Sequence, residues 1–520
     1  NVTATAEPET EVQGNKVLVT IAVMLAALMA VLDISIVNVA LNDIRASFGT
    51  PIDQIGWISV GYMMANIVVI PLTGWLQRRF GFKRYFVFSL LVFTAASVLC
   101  GFAWNLWSLV FFRVLQGIGG GAIIPTAQGI LFARYPRREH AMAGALYGLG
   151  AITGPLLGPT IGGYLIEIAS WHWIFFINLP IGILAATLAW RVIEQPKFAA
   201  TRDPIDWTGI GLLAVGMSSL QYVLEEGNRE GWLESNVIAV LMGVAAISLV
   251  TFIVHELETE QPIVDLRVFK ERTYAAGTGI NFLTGFALFS GSFMFSLYAG
   301  SVLRYEALDI GRVFMVAGTI SLVTMPLFGR LGPKVDGRYL LAIGIAIVAF
   351  SQYVASNLTA AAGFWDAVQP NFLRSLGLGF IFIPVSVIAL SGLSPEQRGN
   401  ATGLFNLTRE LGGSLGTALM GMLLSDGVKI HGSYLAEAVN PYNPLVQEQL
   451  AQLSNSVGSQ TYQSQLVPES ILQSRVDLQA MVLTFQSGFR WVALAMALGL
   501  ILVLLLKKPS ATGGEVVGAH

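Results

Sequence analysis

The chain has 520 residues, of which 54% are hydrophobic and only 12% are charged, and its formal net charge is −2. Soluble globular proteins carry about 25% charged residues, so a deficit along the whole length indicates a polytopic membrane protein. The charge gives no sign of nucleic-acid binding, and the single cysteine, Cys100, excludes an intramolecular disulfide. The sequence contains no metal-ligand cluster and no phosphate-binding loop. We therefore expect no metal, no cofactor and no nucleic-acid partner, and neither an enzyme nor an ATP-driven pump.

Apolar runs of about 20 residues, the length that crosses a bilayer, recur from one end of the chain to the other. They predict an all-α membrane protein with about fourteen transmembrane helices. The runs lie at residues 17–42, 54–76, 84–103, 107–133, 140–167, 172–191, 207–224, 237–257, 273–303, 310–329, 339–357, 364–391, 400–424 and 485–506. The first run follows an acidic segment without a cleavage site, so we expect a retained helix rather than a signal peptide.

Lysine and arginine mark one side of the predicted membrane. With both termini inside, the inner segments hold about twenty of these residues and the outer segments about six. Shifting the count by one helix removes the asymmetry. We therefore expect the tails at 1–16 and 507–520 to be cytoplasmic.

The chain also contains an internal repeat, in which four positions recur at an offset of about 259 residues. The pairs are Pro125 and Pro384, Pro136 and Pro395, Gly144 and Gly403, and Gly154 and Gly413. The repeat predicts two pseudo-symmetric six-helix bundles, at 17–191 and 273–506, with two linker helices at 192–272 between them. Parallel repeats of this kind place the substrate path between the halves near the bilayer midplane, and transport is expected to occur by rocking of one half against the other.

Charged residues inside the apolar runs are costly and mark transport pathways or relays. Asp33 is expected about 24 Å along the first helix from the inside, and Arg113 about 9 Å along the fourth helix from the outside, so the two side chains lie at compatible depths. A dry site favours the protonated carboxyl, whereas a nearby arginine favours the ionised form. If Asp33 is alternately paired and unpaired, it carries protons. A permanent structural Asp33–Arg113 pair is the alternative.

Two other carboxylates are candidates for protonation during transport. Glu410 is expected to bind a proton, to attract a cationic substrate or to pair with another helix, because its neighbour Arg409 points about 100° away around the helix. Glu167 lies in an interfacial aromatic belt. The sequence leaves open which of the two titrates. The position equivalent to Asp33 in the second half is Ser292. A carboxylate that carries protons at this position is therefore expected in the first half alone.

Residues 144–163 read GALYGLGAITGPLLGPTIGG. Glycine at every fourth position allows close helix approach, and proline bends a helix. This combination predicts a gate, with ordinary tight packing as the alternative. The predicted gating residues in this helix are Gly154, Pro155, Gly158 and Pro159. In the inner loop GWLQRRFGFKR, Arg78 and Arg84 are expected to cap helix C-termini and so to join the gate, although they also satisfy the positive-inside bias.

Taken together, these stretches resemble the major facilitator superfamily, in its fourteen-helix drug:proton antiporter branch, over nearly the whole chain. The matching stretches are LDISIVNVALNDI, GWLQRRFGFKR, RVLQGIGGG, GPLLGPTIGG and WHWIFFINLPIG. Of these, GPLLGPTIGG is similar to the antiporter signature and is the most specific. The tract QPIVDLRVFKER and the outer segment near VNPYNP are similar to the inner-membrane B component of Emr-type multidrug exporters.

The resemblance implies a proton-coupled antiporter that exports hydrophobic and amphipathic drugs across the bacterial inner membrane by alternating access. It places Asp33 and Arg113 in the family's proton-linked positions. Where Arg78 stands, the family usually has an acid, which puts a charge-relay gate at that loop in doubt. The resemblance also implies a tripartite system with a periplasmic membrane-fusion adaptor protein and an outer-membrane channel. The outer segment 425–484, with a predicted amphipathic helix in LVQEQLAQLSNSV, is the candidate docking surface, and a lid over the outer mouth is the alternative.

A large apolar cavity is expected between the halves. Its predicted lining residues are Asn38, Phe282, Phe286, Phe289, Phe293 and Tyr298, although phenylalanine at such spacing is also typical of core and lipid-facing positions. Two other functions stay open: an exporter of one natural metabolite such as a siderophore, and a transport-inactive sensor or scaffold. The sequence names neither the cargo nor the proton stoichiometry nor the oligomeric state.

Overall fold

The computed structural model describes residues 16–51, 54–136, 139–194, 205–331, 335–439, 444–457 and 463–506. Within these ranges the backbone is almost entirely helical and contains no β-strand. The predicted all-α fold class is therefore confirmed. The predicted terminal tails fall almost wholly outside the described residues.

The first half of the chain forms six long helices and one short one. They are α1 (Lys16–Phe48), α2 (Trp57–Phe80), α3 (Phe82–Gly101), α4 (Leu106–Arg134), α5 (His140–Ile168), the short α6 (Trp173–Phe176) and α7 (Asn178–Val192). The two linker helices are α8 (Trp207–Glu226) and α9 (Asn236–Glu258). The second half contains α10 (Arg272–Ser301), α11 (Ala307–Leu331), α12 (Gly337–Ala355), α13 (Phe364–Ser391), α14 (Pro395–Ala438), α15 (Pro444–Val457) and α16 (Gln463–Val503).

Local sequence explains several of the helix ends. Asn105 and Ser108 form a capping box at the start of α4, and Ser394 and Gln397 form one at the start of α14. Each such cap stabilises a helix by about 1 kcal/mol because it satisfies backbone N–H groups that have no partner within the helix. In the GWLQRRFGFKR loop, Gly81 has φ +84° and joins α2 to α3 in a turn that other residues rarely adopt.

Twelve helices in the described part of the chain are long and apolar enough to cross a membrane. Among them, α6 and α7 count together as one span, Trp173–Val192. The helices α5 and α14, which were also predicted to span, pack inside the bundles but do not belong to these twelve. The predicted number of fourteen is therefore not confirmed, although fourteen helical segments of spanning length are present when α5 and α14 are included.

The helices pack as two bundles with matching arrangements. In the first bundle α1 packs against α5, and α2 and α3 pack against α4; in the second, α10 packs against α14, and α11 and α12 pack against α13. Between the bundles, α5 packs against α11 and α14 against α2. At this interface Tyr147 donates a hydrogen bond to Asn406, and the two residues are 259 positions apart, which is the offset of the sequence repeat. Equivalent positions of the two halves therefore meet across the interface.

The linker helices lie on one side of this interface. Helix α8 packs against both α2 and α14, and α9 packs against α8. Gln221 of α8 donates a hydrogen bond to Ser414 of α14 and lies 3.9 Å from the sulfur of Met63 on α2. The linker pair thus bridges the two bundles along one lateral edge.

The two bundles meet near the end at which α1 begins, which we call the basic face because Lys16, Arg78, Arg79 and Arg84 lie there. Glycines permit close approach at this end. A Cβ atom at Gly74 of α2 would lie 2.5 Å from the Cα atom of Asn400 on α14. On the other side of the interface, a Cβ atom at Gly148 of α5 would lie 2.9 Å from the side chain of Met325 on α11. The interface between the bundles is therefore closed at the basic face.

At the opposite face, α14 and α16 continue beyond the length that a bilayer requires. Helix α14 has 44 residues and α16 has 41. At 1.5 Å per residue each is about 60 Å long, roughly twice the apolar thickness of a membrane. Both helices continue beyond the predicted apolar runs, which end at 424 and begin at 485, because polar residues extend them outside the apolar region. The predicted amphipathic helix in the outer segment is present as α15, which packs along α16.

Candidate functional site

An ion pair lies buried inside the first bundle, between α1 and α4. Nη1 of Arg113 is 2.5 Å from Oδ2 of Asp33, and the two residues are 1% and 0% exposed. The predicted proximity of these side chains is confirmed. A buried pair of this kind costs desolvation free energy on both ions, so it persists only where further hydrogen bonds satisfy the charged groups.

Two amide side chains supply those hydrogen bonds. Oδ1 of Asp33 accepts from Nε2 of Gln116 and from Nδ2 of Asn178, both at 2.8 Å. Nη1 of Arg113 also donates to Oε1 of Gln116 at 2.7 Å, and its Nε donates to the carbonyl oxygen of Ile58 at 3.3 Å. Residues from α4 and α7 thus converge on the carboxylate of α1, and α2 supplies a carbonyl oxygen to its arginine partner. The carboxylate of Asp33 thus accepts three hydrogen bonds, two of them at Oδ1.

Sequence analysis did not identify Gln116 or Asn178. Gln116 lies one helical turn after Arg113 within RVLQGIGGG, and Asn178 lies within WHWIFFINLPIG. A polar residue within each of these apolar motifs was the available signal. The sequence alone does not say which face of α7 is turned toward α1.

The glycines of RVLQGIGGG accommodate Tyr62 of α2. A Cβ atom at Gly117 would lie 2.4 Å from the backbone oxygen of Tyr62, and one at Gly120 would lie 2.5 Å from its hydroxyl. The ring of Tyr62 is centred 4.2 Å from Cζ of Arg113, which is a cation–π contact in a site shielded from water. Its hydroxyl accepts a hydrogen bond from Nδ2 of Asn66 at 3.3 Å.

A crevice lies between the two bundles, beside this site. Ile34, the residue after Asp33, lies in its wall together with residues from α2, α4 and α14. The other lining residues are Asn66, Ile70, Gly120, Gly121, Ile124, Pro125, Asn406, Arg409 and Glu410. Apolar walls with a few polar groups are typical of small-molecule sites.

Arg409 and Glu410 occupy the α14 side of the crevice. Their side chains are 3.4 Å apart, so the expectation that these neighbours do not pair is wrong. Arg409 also donates to the hydroxyl of Tyr147 at 3.3 Å, and Asn406 donates to Gln128 of α4 at 2.7 Å. These bonds join α14 to α4 and α5 across the bundle interface.

The six predicted cavity-lining residues lie elsewhere than in this crevice. Asn38 is exposed and accepts a hydrogen bond from Ser59. Phe282 and Phe289 are half-buried against Gly412 and Gly413 of α14. The remaining three, Phe286, Phe293 and Tyr298, are buried or half-buried in α10, and Tyr298 donates to the carbonyl oxygen of Thr359. Their part in substrate binding stays a prediction.

Of the predicted gating residues, Gly154 and Gly158 lie where α5 approaches α1. A Cβ atom at Gly154 would lie 2.6 Å from the side chain of Val31, and one at Gly158 would lie 2.1 Å from Oγ of Ser35. The close helix approach predicted from this glycine face is present. The side chains of Pro155 and Pro159 lie outside the described residues.

The two predicted gating arginines lie at the basic face. Arg78 is half-buried in the last turn of α2, where its charge interacts favourably with the helix dipole. Arg84 is exposed at the start of α3. Glu167, the remaining carboxylate candidate, is exposed near the end of α5.

The second bundle has a buried arginine in the corresponding helix but a different environment around it. Arg374 of α13 is 5% exposed, and within the described part of the chain it has no ion pair. Its guanidinium lies over the ring of Phe314 and beside Gly291 and the amide of Gln352. Ser292, the expected counterpart of Asp33, donates to the carbonyl oxygen of Leu288 instead. The ion-pair site is thus found in one bundle alone among the residues described.

No group of three or more His, Cys, Asp and Glu side chains is placed to bind a metal ion in the described ranges.

The family model of the Major Facilitator Superfamily matches residues 23–417, which is more than half of the chain. The chain belongs to the major facilitator superfamily. Members of this superfamily are secondary transporters, and the chain is a transporter rather than an enzyme.

Curated relatives of this superfamily member extend over nearly its whole length. It is 33% identical over 498 residues to the multidrug export protein EmrB of Haemophilus influenzae, covering 95% of this chain and 96% of that protein. It is 34% identical over 506 residues to the multidrug export protein EmrB of Escherichia coli K12, covering 97% and 98%. The predicted resemblance to Emr-type exporters is therefore confirmed.

Among solved structures, the human organic anion transporter MFSD10 has the same fold. The TM-score is 0.59 at 11% sequence identity, and the match covers 94% of this chain and 100% of that one. At this identity the comparison supports the two-bundle fold and nothing about cargo.

Proposed function

We propose that the chain is a proton-coupled antiporter that exports hydrophobic and amphipathic compounds across the bacterial inner membrane. The observation that carries the proposal is the fully buried Asp33–Arg113 pair beside a crevice between the two bundles. Proteins retain charges inside a membrane chiefly on transport pathways and proton relays. The relatives named as multidrug export proteins support the choice of cargo.

The basic face is proposed to be cytoplasmic. The positive-inside rule supports this orientation, and it places both termini in the cytoplasm. Because the bundles meet at the basic face, we assign the conformation to an outward-facing state. Rocking of the bundles would break the contacts of Gly74 and Gly148 and close the opposite face.

The proposed cycle uses Asp33 as the proton carrier. In the outward-facing state a proton binds Asp33 and weakens its pair with Arg113. The bundles then rock, and the proton leaves to the cytoplasm as a substrate molecule binds in the crevice. Arg113 recaptures the ionised carboxylate, while Gln116 and Asn178 hold it in place. Since proton and substrate favour opposite states of one ion pair, each turn exchanges one for the other.

The direct test is transport by the purified chain in proteoliposomes with an imposed pH gradient. Uphill movement of several unrelated dyes, uncouplers and quinolones is expected. Asp33→Asn is expected to abolish gradient-driven transport while substrate still binds, and the variant Glu258→Gln, at an exposed carboxylate, serves as control. Full transport by Asp33→Asn contradicts the proton assignment. Movement of one compound alone indicates an exporter of one metabolite, and movement of none indicates a sensor or scaffold.

We also propose a partnership with a periplasmic adaptor protein and, through it, an outer-membrane channel. The helical extension formed by the outer parts of α14 and α16 together with α15 supports a docking role, since helices about 60 Å long project beyond the membrane. Packing of α15 along α16 favours a projection over a lid. Deletion of 444–457 is expected to reduce co-purification of an adaptor, and undiminished recovery would rule out docking through α15.

A further inference from the structure

The buried ion pair and the crevice are separate spaces. Asp33 and Arg113 are 0% and 1% exposed, and neither lines the crevice. An antiporter must nevertheless make proton binding at one place depend on substrate binding at the other. Such coupling requires a physical element whose state both sites change.

The side chain of Tyr62 lies between the two spaces. One face of its ring lies against the guanidinium of Arg113, at 4.2 Å from the ring centre. Its hydroxyl accepts a hydrogen bond from Asn66, and Asn66 lines the crevice. Gly120, another lining residue, is so close to this hydroxyl that an added Cβ would lie 2.5 Å from it. Tyr62 itself is 1% exposed, so its hydroxyl lies directly behind the crevice wall.

We propose that Tyr62 and Asn66 are the positioning residues that couple protonation of Asp33 to ligand binding in the crevice; this inference rests on the proposed function. While Asp33 is ionised, its carboxylate neutralises Arg113, and the Tyr62 hydroxyl accepts from the Asn66 amide nitrogen. The amide oxygen of Asn66 is then available to accept from an N–H group of a ligand. Amphiphiles that carry amine donors are therefore the substrate class that this element senses.

Protonation of Asp33 reverses the arrangement. The unpaired charge of Arg113 then acts on the face of the Tyr62 ring, which makes the phenol a better donor and a poorer acceptor. The Asn66 amide then rotates so that its oxygen accepts from the hydroxyl, and the ligand loses that acceptor. Proton binding thereby weakens ligand binding, and by linkage ligand binding promotes proton release by the same factor.

Few other charges act on Tyr62. Besides Asp33 from α1 and Arg113 from α4, Glu410 from α14 acts on its hydroxyl, and Arg409 lines the same crevice beside Glu410. The thiol of Cys100 on α3 donates to Gln116, on the far side of the pair. On α8, Glu226 lies near Gly56 at the start of α2, about 9 Å along the helix from Tyr62.

The test is the affinity of the full-length chain for ethidium, a fluorescent amphiphile with two amine groups, measured by anisotropy between about pH 5.5 and pH 8.5. Tyr62→Phe keeps the ring against Arg113 and removes only the hydroxyl. In the wild type, Kd is expected to fall about 10-fold as pH rises, a typical coupling factor. In Tyr62→Phe the change is expected to shrink to about 2-fold, with Kd at high pH little altered.

Two further variants make the result specific. Tyr85→Phe removes the hydroxyl of another buried tyrosine in the same bundle and is expected to keep the full pH dependence. Asn66→Leu is expected to lose the pH dependence as Tyr62→Phe does, which keeps the test open if one variant does not fold. A wild type that binds ethidium without pH dependence, or fails to bind it, contradicts the proposed function and the inference together. A pH-dependent wild type with unchanged Tyr62→Phe and Asn66→Leu variants overturns the inference alone.

Discussion

Removing the charge of Arg113 without removing that of Asp33 leaves a carboxylate buried and unpaired. Asp33 is 0% exposed and would keep only its hydrogen bonds from Gln116 and Asn178. Breaking a buried pair in this way costs about 3–5 kcal/mol, whereas neutralising both partners is often close to neutral. We therefore expect Arg113→Met to be strongly destabilised and the double variant Asp33→Asn, Arg113→Met to recover most of the loss.

The chain provides its own reporter for this measurement. Cys100 is the only cysteine, is fully buried, and lies 3.7 Å from Oε1 of Gln116, so a thiol-reactive fluorophore reports opening of this part of the bundle. For a unit of about 175 residues, 1 kcal/mol shifts the unfolding midpoint by about 2–4 °C. Arg113→Met should thus lower the midpoint by about 6–20 °C at about pH 8, where free carboxyl groups are ionised. Equal midpoints for the wild type and Arg113→Met, or no recovery in the double variant, would refute this reasoning.

Four further outcomes follow from the packing and hydrogen bonds. Asn178→Ala removes a donor to a charged group and is expected to lower stability by about 1.5–3 kcal/mol in the same fluorophore assay, whereas Thr187→Ala on the exposed side of α7 leaves the midpoint unchanged. Gly158→Ala places a Cβ 2.1 Å from Ser35 and is expected to lower the yield of folded protein, whereas Gly163→Ala, which meets nothing within 4 Å, does not. Arg374→Met removes a buried charge without an ion pair among the described residues, so survival of the monodisperse protein after heating should be unchanged or improved. Asn406→Ala removes bonds that join α14 to α4 and α5, and cysteines introduced at the basic face of the two bundles should then cross-link more slowly than in the parent.

The sequence was sufficient for the helical architecture and for the Asp33–Arg113 contact. The length of each apolar run and the 1.5 Å rise per residue determine the depth of each charged residue in the membrane. Asp33 and Arg113 lie at similar depths, and their opposite charges favour a contact. The close packing of α5 was likewise predictable from sequence, because regularly spaced glycines such as Gly154 and Gly158 are typical of a helix face that another helix approaches closely.

Other features depend on which face each helix presents to its neighbours. In a wholly apolar helix, the periodicity of hydrophobic residues does not identify that face. Gln116, Asn178 and Tyr62 reach the ion pair from three different helices, and their convergence is a tertiary property. For the same reason the crevice lies beside Asn66 and Ile34 rather than along the phenylalanines of α10. The long extension of α14 was missed because hydropathy marks where a helix leaves the membrane and not where the helix ends.

The claim on which this account depends is that substrate binding drives a proton from Asp33. It is tested most directly by adding ethidium to the purified chain in weakly buffered solution and following a soluble pH indicator. The wild type and the Glu258→Gln control are expected to release about one proton per ligand bound near the midpoint of the pH dependence, and Asp33→Asn none. Equal proton release from Asp33→Asn, at equal ligand occupancy, would show that another group carries the proton.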